Sequence, residues 1–302
     1  MKQPGTANEL WDAVVTAISD VTASPFTLHR TETVSGGCIN DTVIVHGERE
    51  KYFVKLNSAS QLPMFEAEAA GLDDIIASQS VRAPTPLASG VVADRAWLVL
   101  ECLDLAGQRG QGAMSTLGEQ LALMHRATQQ RFGWRMDNTI GSTPQINASS
   151  DDWTRFWCQQ RLQYQLDLAA RHGYRGRLQQ RGEQLLAACS ALLAGHNPAA
   201  SLLHGDLWSG NYAVCSDGMP AIFDPAVYYG DRETDLAMTE LFGGFTGDFY
   251  RAYENVWPLE PGYDIRKQLY NLYHVLNHLN LFGGGYAHQA EHMIDTLLAH
   301  VR

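Results

Sequence analysis

The polar residues of segment 204–224 are the feature that most constrains what this chain can fold into. Asp206 is followed five residues later by Asn211, and Asp224 comes thirteen residues after that. Between Asn211 and Asp224, two short apolar runs flank the turn residues 216–218, which predicts two strands joined by a hairpin. A loop, a hairpin and a strand end bring the three polar side chains to one place, although each alone could equally cap a helix or end a strand.

The spacing of these three residues matches the phosphotransfer centre of kinases. The transferred phosphoryl group carries charge that metals and fixed donors must neutralise, and the acceptor hydroxyl must be oriented and relieved of its proton. We therefore predict Asp206 as the catalytic residue, Asn211 and Asp224 as Mg²⁺ ligands, and ATP and Mg²⁺ as cofactors.

Composition describes a globular chain that is large enough for two lobes. It has 302 residues, of which 45% are hydrophobic and 18% are charged, and a net charge of −11. The negative charge disfavours nucleic acid and anionic membranes as partners. The sequence lacks a signal-peptide pattern and an apolar run of membrane-spanning length, which favours a cytoplasmic location. The five cysteines are scattered, which argues against a disulfide framework and a cysteine-based zinc site.

The periodicity changes from strand-like to helical along the chain. It predicts an α+β fold of the bilobal, protein-kinase-like type: an N-terminal lobe, residues 1–104, with an antiparallel β-sheet and a helix, and a larger, mostly helical C-terminal lobe, residues 105–302. The predicted strands are 28–33, 42–46, 52–55 and 97–100, and the predicted helices are 9–20, 61–79, 117–127, 151–171, 177–194, 234–242, 248–256 and 264–282.

Lys55 is the candidate phosphate-binding lysine. It ends an apolar strand in the N-terminal lobe, and the chain has only four lysines. A glutamate on the next helix should pair with it. Glu66 and Glu68 both qualify, but their two-residue offset places them about 200° apart on a helix, so only one can face the lysine. We choose Glu68 and interpret Lys51 as a solvated edge residue.

Two further segments are candidates for nucleotide contacts. Gly36 and Gly37 lie between two strands, where a loop over the phosphates belongs, although a hairpin turn explains them as well. Cys38 in the same loop is either an inert or a redox-sensitive thiol. Glu101 and Leu103 follow a strand and could offer backbone groups to adenine.

Several segments of the sequence resemble those of a known family. His204-Gly205-Asp206 with Asn211 is shared by aminoglycoside phosphotransferases and choline kinases, whereas the insert 207–210 is similar to that of the fructosamine (ketosamine) kinases. The further matching segments are 35–40, 68–72, 97–101, 138–141 with Gln145 and Asn147, 223–226, 229–233, 235–238 and 276–283.

The resemblance implies an ATP-dependent kinase that phosphorylates the sugar 3-hydroxyl of ketosamines, which leads to deglycation of the amine. Its partner would be a small-molecule or protein-bound ketosamine, and the chain would be a monomer or a homodimer. A kinase of another small alcohol, in the aminoglycoside or choline group, is the alternative. A catalytically inactive nucleotide-binding scaffold is a third possibility, against which the intact Lys55, Asp206, Asn211 and Asp224 argue.

The length of the segment after Asp224 indicates what kind of molecule accepts the phosphoryl group. Only ten residues separate Asp224 from Asp235, too few for a phosphorylation-controlled activation loop, which favours an open cleft for a small molecule. Asp231 could meet a cationic amine or cap a helix. For Glu233 and Asp235 we favour helix capping and first-turn charge.

Aromatic and polar residues elsewhere complete the candidate substrate contacts. His278 and Asn280 could line the sugar pocket, and Trp208 lies in the family-like insert. The helical histidine pairs 274/278 and 288/292 have a spacing that can bind a transition metal, but neither has an evident third ligand. His125, on an apolar helix face, is interpreted as a hydrogen-bonded core residue.

Overall fold

Ten α-helices and thirteen strands make up the described part of the chain. The computed structural model describes residues 4–34, 39–107 and 112–301. The helices are α1 Pro4–Thr22, α2 Leu62–Ala77, α3 Ala113–His125, α4 Trp153–Phe156, α5 Tyr164–Arg171, α6 Arg177–Leu192, α7 Glu233–Leu241, α8 Gly247–Val256, α9 Tyr263–Phe282 and α10 Tyr286–Ala299. A 3₁₀ turn, Ala59–Gln61, precedes α2, and a π-helical segment, Trp157–Gln163, joins α4 to α5.

The strands are short, and most of them belong to antiparallel ladders. They are β1 Arg30–Val34, β2 Asp41–His46, β3 Lys51–Ser58, β4 Pro86–Val92, β5 Arg95–Glu101, β6 Leu105–Gly107, β7 Thr128–Gln129, β8 Asn138–Ile140, β9 Thr143–Gln145, β10 Ala200–Leu203, β11 Tyr212–Cys215, β12 Pro220–Ile222 and β13 Tyr228–Gly230.

The N-terminal part is a five-stranded antiparallel sheet in the order β1-β2-β3-β5-β4, with a helix on each face. Successive side chains of a strand point to opposite faces. Val54 and Val99 accordingly pack in one core cluster with α1, whereas Leu98 packs in another with α2. Lys55 pairs with Leu98 in the ladder and lies on the α2 face of the sheet. The alternation of side chains therefore directs Lys55 towards the helix that carries the candidate glutamates.

The helical part surrounds a short central strand, β10, which is buried along its whole length. β10 pairs antiparallel with β13 and with β7. Ser201 lies opposite Gly230, and Leu203 lies opposite Tyr228. The chain therefore leaves β10 towards Asp206 at one end of this ladder, and leaves β13 towards Asp231 at the other end.

The chain passes from the sheet to the helical part just after β5. The carbonyl of Asp104 accepts a hydrogen bond from the Ser216 amide at 2.8 Å, and β6 pairs with β11. The mixed helical and antiparallel architecture is the predicted bilobal α+β fold. Within the described ranges, no helix combines the length and the apolar character needed to span a membrane.

Candidate active site

The candidate catalytic loop, His204-Gly205-Asp206, begins where β10 ends. Gly205 has a φ of +82°, and a Cβ at this position would lie 2.1 Å from the carbonyl oxygen of Ala226. Both the left-handed backbone and the close approach require glycine. The loop is therefore pressed directly against the segment that follows Asp224.

The buried His204 ring fixes the spacing between the loop and the strand end. Its Nε2–H donates to the Phe223 carbonyl at 3.0 Å, and its Nδ1 accepts from the Asp206 amide at 3.2 Å. Burial lowers the pKa of His204, so the ring is neutral and each nitrogen has one role. Asp206 and Asp224 are thereby held on either side of one rigid ring.

Asp206, Asn211 and Asp224 lie together, as the spacing predicts. The Asn211 side-chain amide donates to the Asp206 carbonyl at 2.8 Å and to the Asp206 carboxylate at 3.3 Å. The Asn211 carbonyl in turn accepts from the amide of Phe223 at 3.0 Å. Asp224 itself has a φ of +57°, which is a strained conformation for a non-glycine residue and one found at functional sites.

The side-chain oxygens at this point suit Mg²⁺. Because the amide nitrogen of Asn211 is engaged by Asp206, its side-chain oxygen is left as an acceptor, and the Asp224 side chain is half exposed. Mg²⁺ prefers oxygen ligands and is commonly held by one or two carboxylates plus substrate phosphates. Asn211 and Asp224 therefore fit the metal that the sequence predicts, while their assignment as its ligands stays a prediction.

Lys55 joins the sheet to this cluster. Its ammonium group lies 2.5 Å from Glu68 Oε1 and 2.6 Å from Asp224 Oδ1, and its side chain is only 5% exposed. Burial alone would lower the pKa of Lys55, but the Asp224 and Glu68 carboxylates hold it above its ordinary value. The lysine is therefore charged, and of the two glutamates considered, Glu68 is the one that faces it.

The Asp206 carboxyl has an unusually high affinity for protons. Burial and the nearby negative charge of Asp224 raise its pKa well above the ordinary value of 3.8. A cation bound at Asp224 would offset the second effect. A carboxylate with a raised pKa is suited to accepting a proton from a hydroxyl group.

Asp235 is a residue of the site that sequence reasoning missed. Its carboxylate accepts from the His204 amide at 2.7 Å, from the Gly205 amide at 2.8 Å and from His125 Nε2 at 3.1 Å. Although burial alone would raise the pKa of Asp235, the hydrogen bond from His125 and the surrounding donors hold it below 3.8. Asp235 is thus an anchor for the backbone of the catalytic loop rather than only a first-turn helix charge.

Two segments were predicted to contact the nucleotide, and that role stays a prediction for both. The Glu101 side chain accepts from the amide and the hydroxyl of Thr85, both at 3.2 Å, so its carboxylate is engaged within the sheet. Leu103 follows in an irregular segment, and its backbone makes no hydrogen bond within the ranges that the structure describes. Gly36 and Gly37, with Cys38, lie outside the described residues.

Trp208 forms an aromatic surface beside the catalytic loop. Its side chain is 40% exposed, and a Cβ at Gly210 would lie 2.3 Å from the indole ring. The indole therefore covers the backbone of its own insert, which explains the tryptophan and glycine in this short motif.

The family of the chain follows from comparison with known proteins. The fructosamine kinase family model matches residues 10–300. The chain belongs to the fructosamine kinase family. A probable ketoamine kinase of Synechocystis sp. is 47% identical over 289 residues, covering 95% of this chain and 97% of that protein. A chloroplastic protein-ribulosamine 3-kinase of Arabidopsis thaliana is 42% identical over 268 residues, covering 88% and 81% of the two chains.

Solved structures agree with this assignment. A Haemophilus somnus protein assigned as a fructosamine-3-kinase superposes with a TM-score of 0.88 at 27% identity, covering 95% of this chain and 97% of that one. An aminoglycoside phosphotransferase in ternary complex with ADP and hygromycin B has a TM-score of 0.63 at 16% identity, covering 95% and 98% of the two chains, which shows a shared fold. The protein-kinase-like fold predicted from the sequence is confirmed.

In this fructosamine kinase family member, Asp231 is not part of the catalytic cluster. It lies at the opposite end of the β10–β13 ladder, and it is 1% exposed. Its carboxylate accepts hydrogen bonds from His196 and from Tyr270, both at 2.6 Å. Of the two roles considered for Asp231, contact with a substrate amine does not fit this buried carboxylate. Helix capping does, because the Glu233 amide at the start of α7 donates to Asp231 Oδ1 at 3.1 Å.

His278 and Asn280 lie on α9 with partners of their own. His278 Nδ1–H donates to the His274 carbonyl at 2.8 Å, and its ring packs against Phe242 at a centroid distance of 4.9 Å. The Asn280 amide nitrogen donates to both side-chain and backbone oxygens of Gln165, at 2.8 and 3.0 Å. No hydrogen bond or ring contact joins either residue to Asp206 within the described segments, so their substrate role stays a prediction.

Proposed function

We propose that this protein transfers the γ-phosphoryl group of ATP to the 3-hydroxyl of a ketosamine. Membership of the fructosamine kinase family supports the substrate class. The observation that carries the chemistry is the convergence of four groups from both parts of the fold: Lys55 pairs with Asp224, and Asn211 pairs with Asp206. The His204 ring joins the two pairs. An inactive scaffold has no need of all four groups.

Asp206 acts on the acceptor in this proposal. Its carboxylate accepts the proton of the 3-hydroxyl as the hydroxyl oxygen forms a bond to the γ-phosphorus. The bond between the γ-phosphorus and the β–γ bridging oxygen breaks, and ADP leaves. The Asn211 amide steadies one carboxylate oxygen of Asp206 at 3.3 Å, and the other has no partner among the described residues, so it is available to the hydroxyl.

Lys55 and Glu68 serve the phosphates of the nucleotide. The ammonium group is charged and held by two carboxylates, so that on nucleotide binding it exchanges the Asp224 contact for phosphate oxygens while Glu68 keeps it in place. Asn211 and Asp224 would hold Mg²⁺, which neutralises charge on the transferring phosphoryl group. In the adenine subsite, the Glu101 carbonyl and the backbone of Leu103 are the proposed contacts, with Gly36 and Gly37 over the phosphates.

The acceptor side is proposed to include Trp208. Its exposed indole lies two residues from the catalytic aspartate and offers a flat apolar surface to the sugar or its amine carrier. The similarity to a protein-ribulosamine 3-kinase supports the 3-hydroxyl as the acceptor. The phosphorylated product would then break down and release the amine, so that the reaction amounts to deglycation.

Release of ADP from Mg-ATP tests this proposal directly. The acceptors are ribulose-lysine, fructose-lysine, an aminoglycoside and choline, each assayed in the same coupled reaction. We expect turnover with a ketosamine and none with the other two. Turnover with an aminoglycoside or choline alone would retain the chemistry of Asp206 but refute the substrate class.

Asp206→Asn separates catalysis from nucleotide binding. A general base contributes about 10²–10⁴-fold to the rate, so we expect a loss of that size in kcat with ADP affinity changed less than about threefold. Asp217→Asn is the matched control, because Asp217 lies in the exposed turn of the hairpin, where its carboxylate contacts Arg82 and the Met219 amide. Wild-type turnover by Asp206→Asn would show that another group accepts the proton.

A further inference from the structure

A cluster of histidine and carboxylate side chains lies away from the catalytic centre. His196, Asp231 and Glu233 place their nitrogen and oxygen atoms within 4.8 Å of one another. Their side chains are 5%, 1% and 1% exposed. The cluster lies at the Ala200 end of β10, whereas the catalytic loop leaves the Leu203 end, about 10 Å further along the strand.

We propose that this cluster is a binding site for a divalent transition-metal ion such as Zn²⁺, separate from the Mg²⁺ site of the reaction. One imidazole and two carboxylates are a donor set that Zn²⁺ accepts, at distances of about 2.0–2.2 Å. Two ligands of a tetrahedral ion are then roughly 3.3 Å apart. The observed separations are close enough that small side-chain movements complete the coordination.

The surrounding hydrogen bonds prepare His196 as a ligand. Its Nδ1 lies 3.2 Å from Glu260 Oε2, so the Nδ1–H donates to a carboxylate and Nε2 is left to face Asp231 at 2.6 Å. A carboxylate behind the far nitrogen is the usual arrangement that fixes the tautomer of a metal-binding histidine. Without metal, a proton lies between Nε2 and Asp231, and the ion takes the place of that proton, which is released.

A cavity and an unpaired hydroxyl give the independent evidence for a ligand. The three residues line a cavity of about 40 Å³, large enough for an ion and a water molecule. Ser201 lines the same cavity, is completely buried, and its Oγ makes no hydrogen bond in the part of the chain that the structure describes. A buried hydroxyl without a partner is rare, and an ion or its bound water supplies one.

The charges around the cavity favour a cation. Three carboxylates lie at the cavity, those of Asp231, Glu233 and Glu260. Arg232 also lines it, and Arg266 pairs with Glu233. Once the ion has displaced the proton between His196 and Asp231, these groups carry one net negative charge. Arg266 donates to both Glu233 oxygens, at 2.6 and 2.8 Å, which orients that carboxylate while leaving lone pairs for an ion.

Metal stoichiometry tests the site. The full-length protein, freed of metal by a chelator, is incubated with Zn²⁺ in the presence of Mg²⁺ and ADP, which occupy the catalytic centre, and bound zinc is counted after gel filtration. We expect one zinc per chain, lost in His196→Ala and kept in His288→Ala. His288 is an exposed histidine of the 288/292 pair on α10 and therefore the matched control.

A second variant keeps the test decisive if His196→Ala does not fold. The Glu260 side chain is 61% exposed, so Glu260→Gln should fold, yet loss of the carboxylate behind His196 should weaken Zn²⁺ binding about 10–100-fold. Zn²⁺ at about 100 times its Kd should also raise the Tm of the wild type by roughly 5 °C. Absence of zinc from the wild type, unchanged affinity in Glu260→Gln, or loss of zinc with His288→Ala would each overturn the proposal.

Discussion

Replacement of Asp235 by asparagine tests whether this residue holds the catalytic loop. Its two carboxylate oxygens accept three hydrogen bonds, from the amides of His204 and Gly205 and from His125. Asparagine offers one oxygen and one NH₂ group, so at least one buried amide N–H must face another donor. A hydrogen bond to a charged group contributes about 1.5–3 kcal/mol, and a buried unpaired donor costs about 1–3 kcal/mol. The expected loss of unfolding free energy is therefore about 2.5–6 kcal/mol.

The same substitution should also slow the reaction. Asp206 follows Gly205 directly, and a displacement of about 1 Å in a catalytic group can cost 10²-fold in rate. The free energy of unfolding is measured by urea denaturation, and kcat is measured on protein that circular dichroism shows to be folded. We expect both to fall, because the loop loses its anchor even in the folded state.

Asp231→Asn is the matched control for this experiment. Asp231 and Asp235 are equally buried, each 1% exposed, but Asp231 lies at the far end of the β10–β13 ladder. Its substitution should lower stability and leave kcat within about threefold of the wild type, because among the described residues no hydrogen bond or ion pair joins its side chain to the loop. If Asp235→Asn kept a wild-type kcat, or if both variants lost activity in proportion to stability, the anchoring role would be refuted.

Two further changes have clear expected outcomes. Gly205→Ala places a Cβ 2.1 Å from the Ala226 carbonyl oxygen at a φ of +82°, so kcat should fall at least about 10²-fold, and a rate near that of the wild type would show that the loop can move freely. Burial lowers the pKa of His274 from 6.5 to about 3, so the unfolded chain binds the extra proton and stability falls as pH drops below 6.5. His274→Gln should remove about 1.4 kcal/mol of the stability difference between pH 7.5 and pH 5.5 in urea titrations, and an unchanged difference would refute the lowered pKa.

The sequence predicts those parts of the site whose residues lie close together along the chain. Lys55 and Glu68 are thirteen residues apart, on a strand and on the next helix. The side-chain periods of the strand and of the helix are enough to predict that they face each other. Asp206, Asn211 and Asp224 are joined by one hairpin. In each case the chain between the residues is short and regular, so the sequence pattern predicts which side chains lie close together.

The parts that the sequence does not predict depend on long-range contacts. Asp235 reaches the catalytic loop across thirty-one residues, and in sequence it is indistinguishable from an ordinary first-turn helix charge. β4 begins at Pro86 and was not predicted, since proline interrupts a strand pattern except at an edge, which is where β4 lies. Asp231 illustrates the reverse case, since it follows the proposed metal ligand Asp224 by only seven residues but lies at the far end of the β10–β13 ladder.

The ion pair between Lys55 and Asp224 affects how fast the nucleotide and the metal bind. In the described structure a positive charge already lies beside the carboxylate that we propose as a metal ligand. Nucleotide and metal would exchange partners with these two side chains instead of ordering them from a mobile state, so that little conformational entropy is lost on binding. The lobes are joined before the substrate arrives, and a cleft of this kind should bind Mg-ATP rapidly, with an association rate limited by encounter rather than by closure.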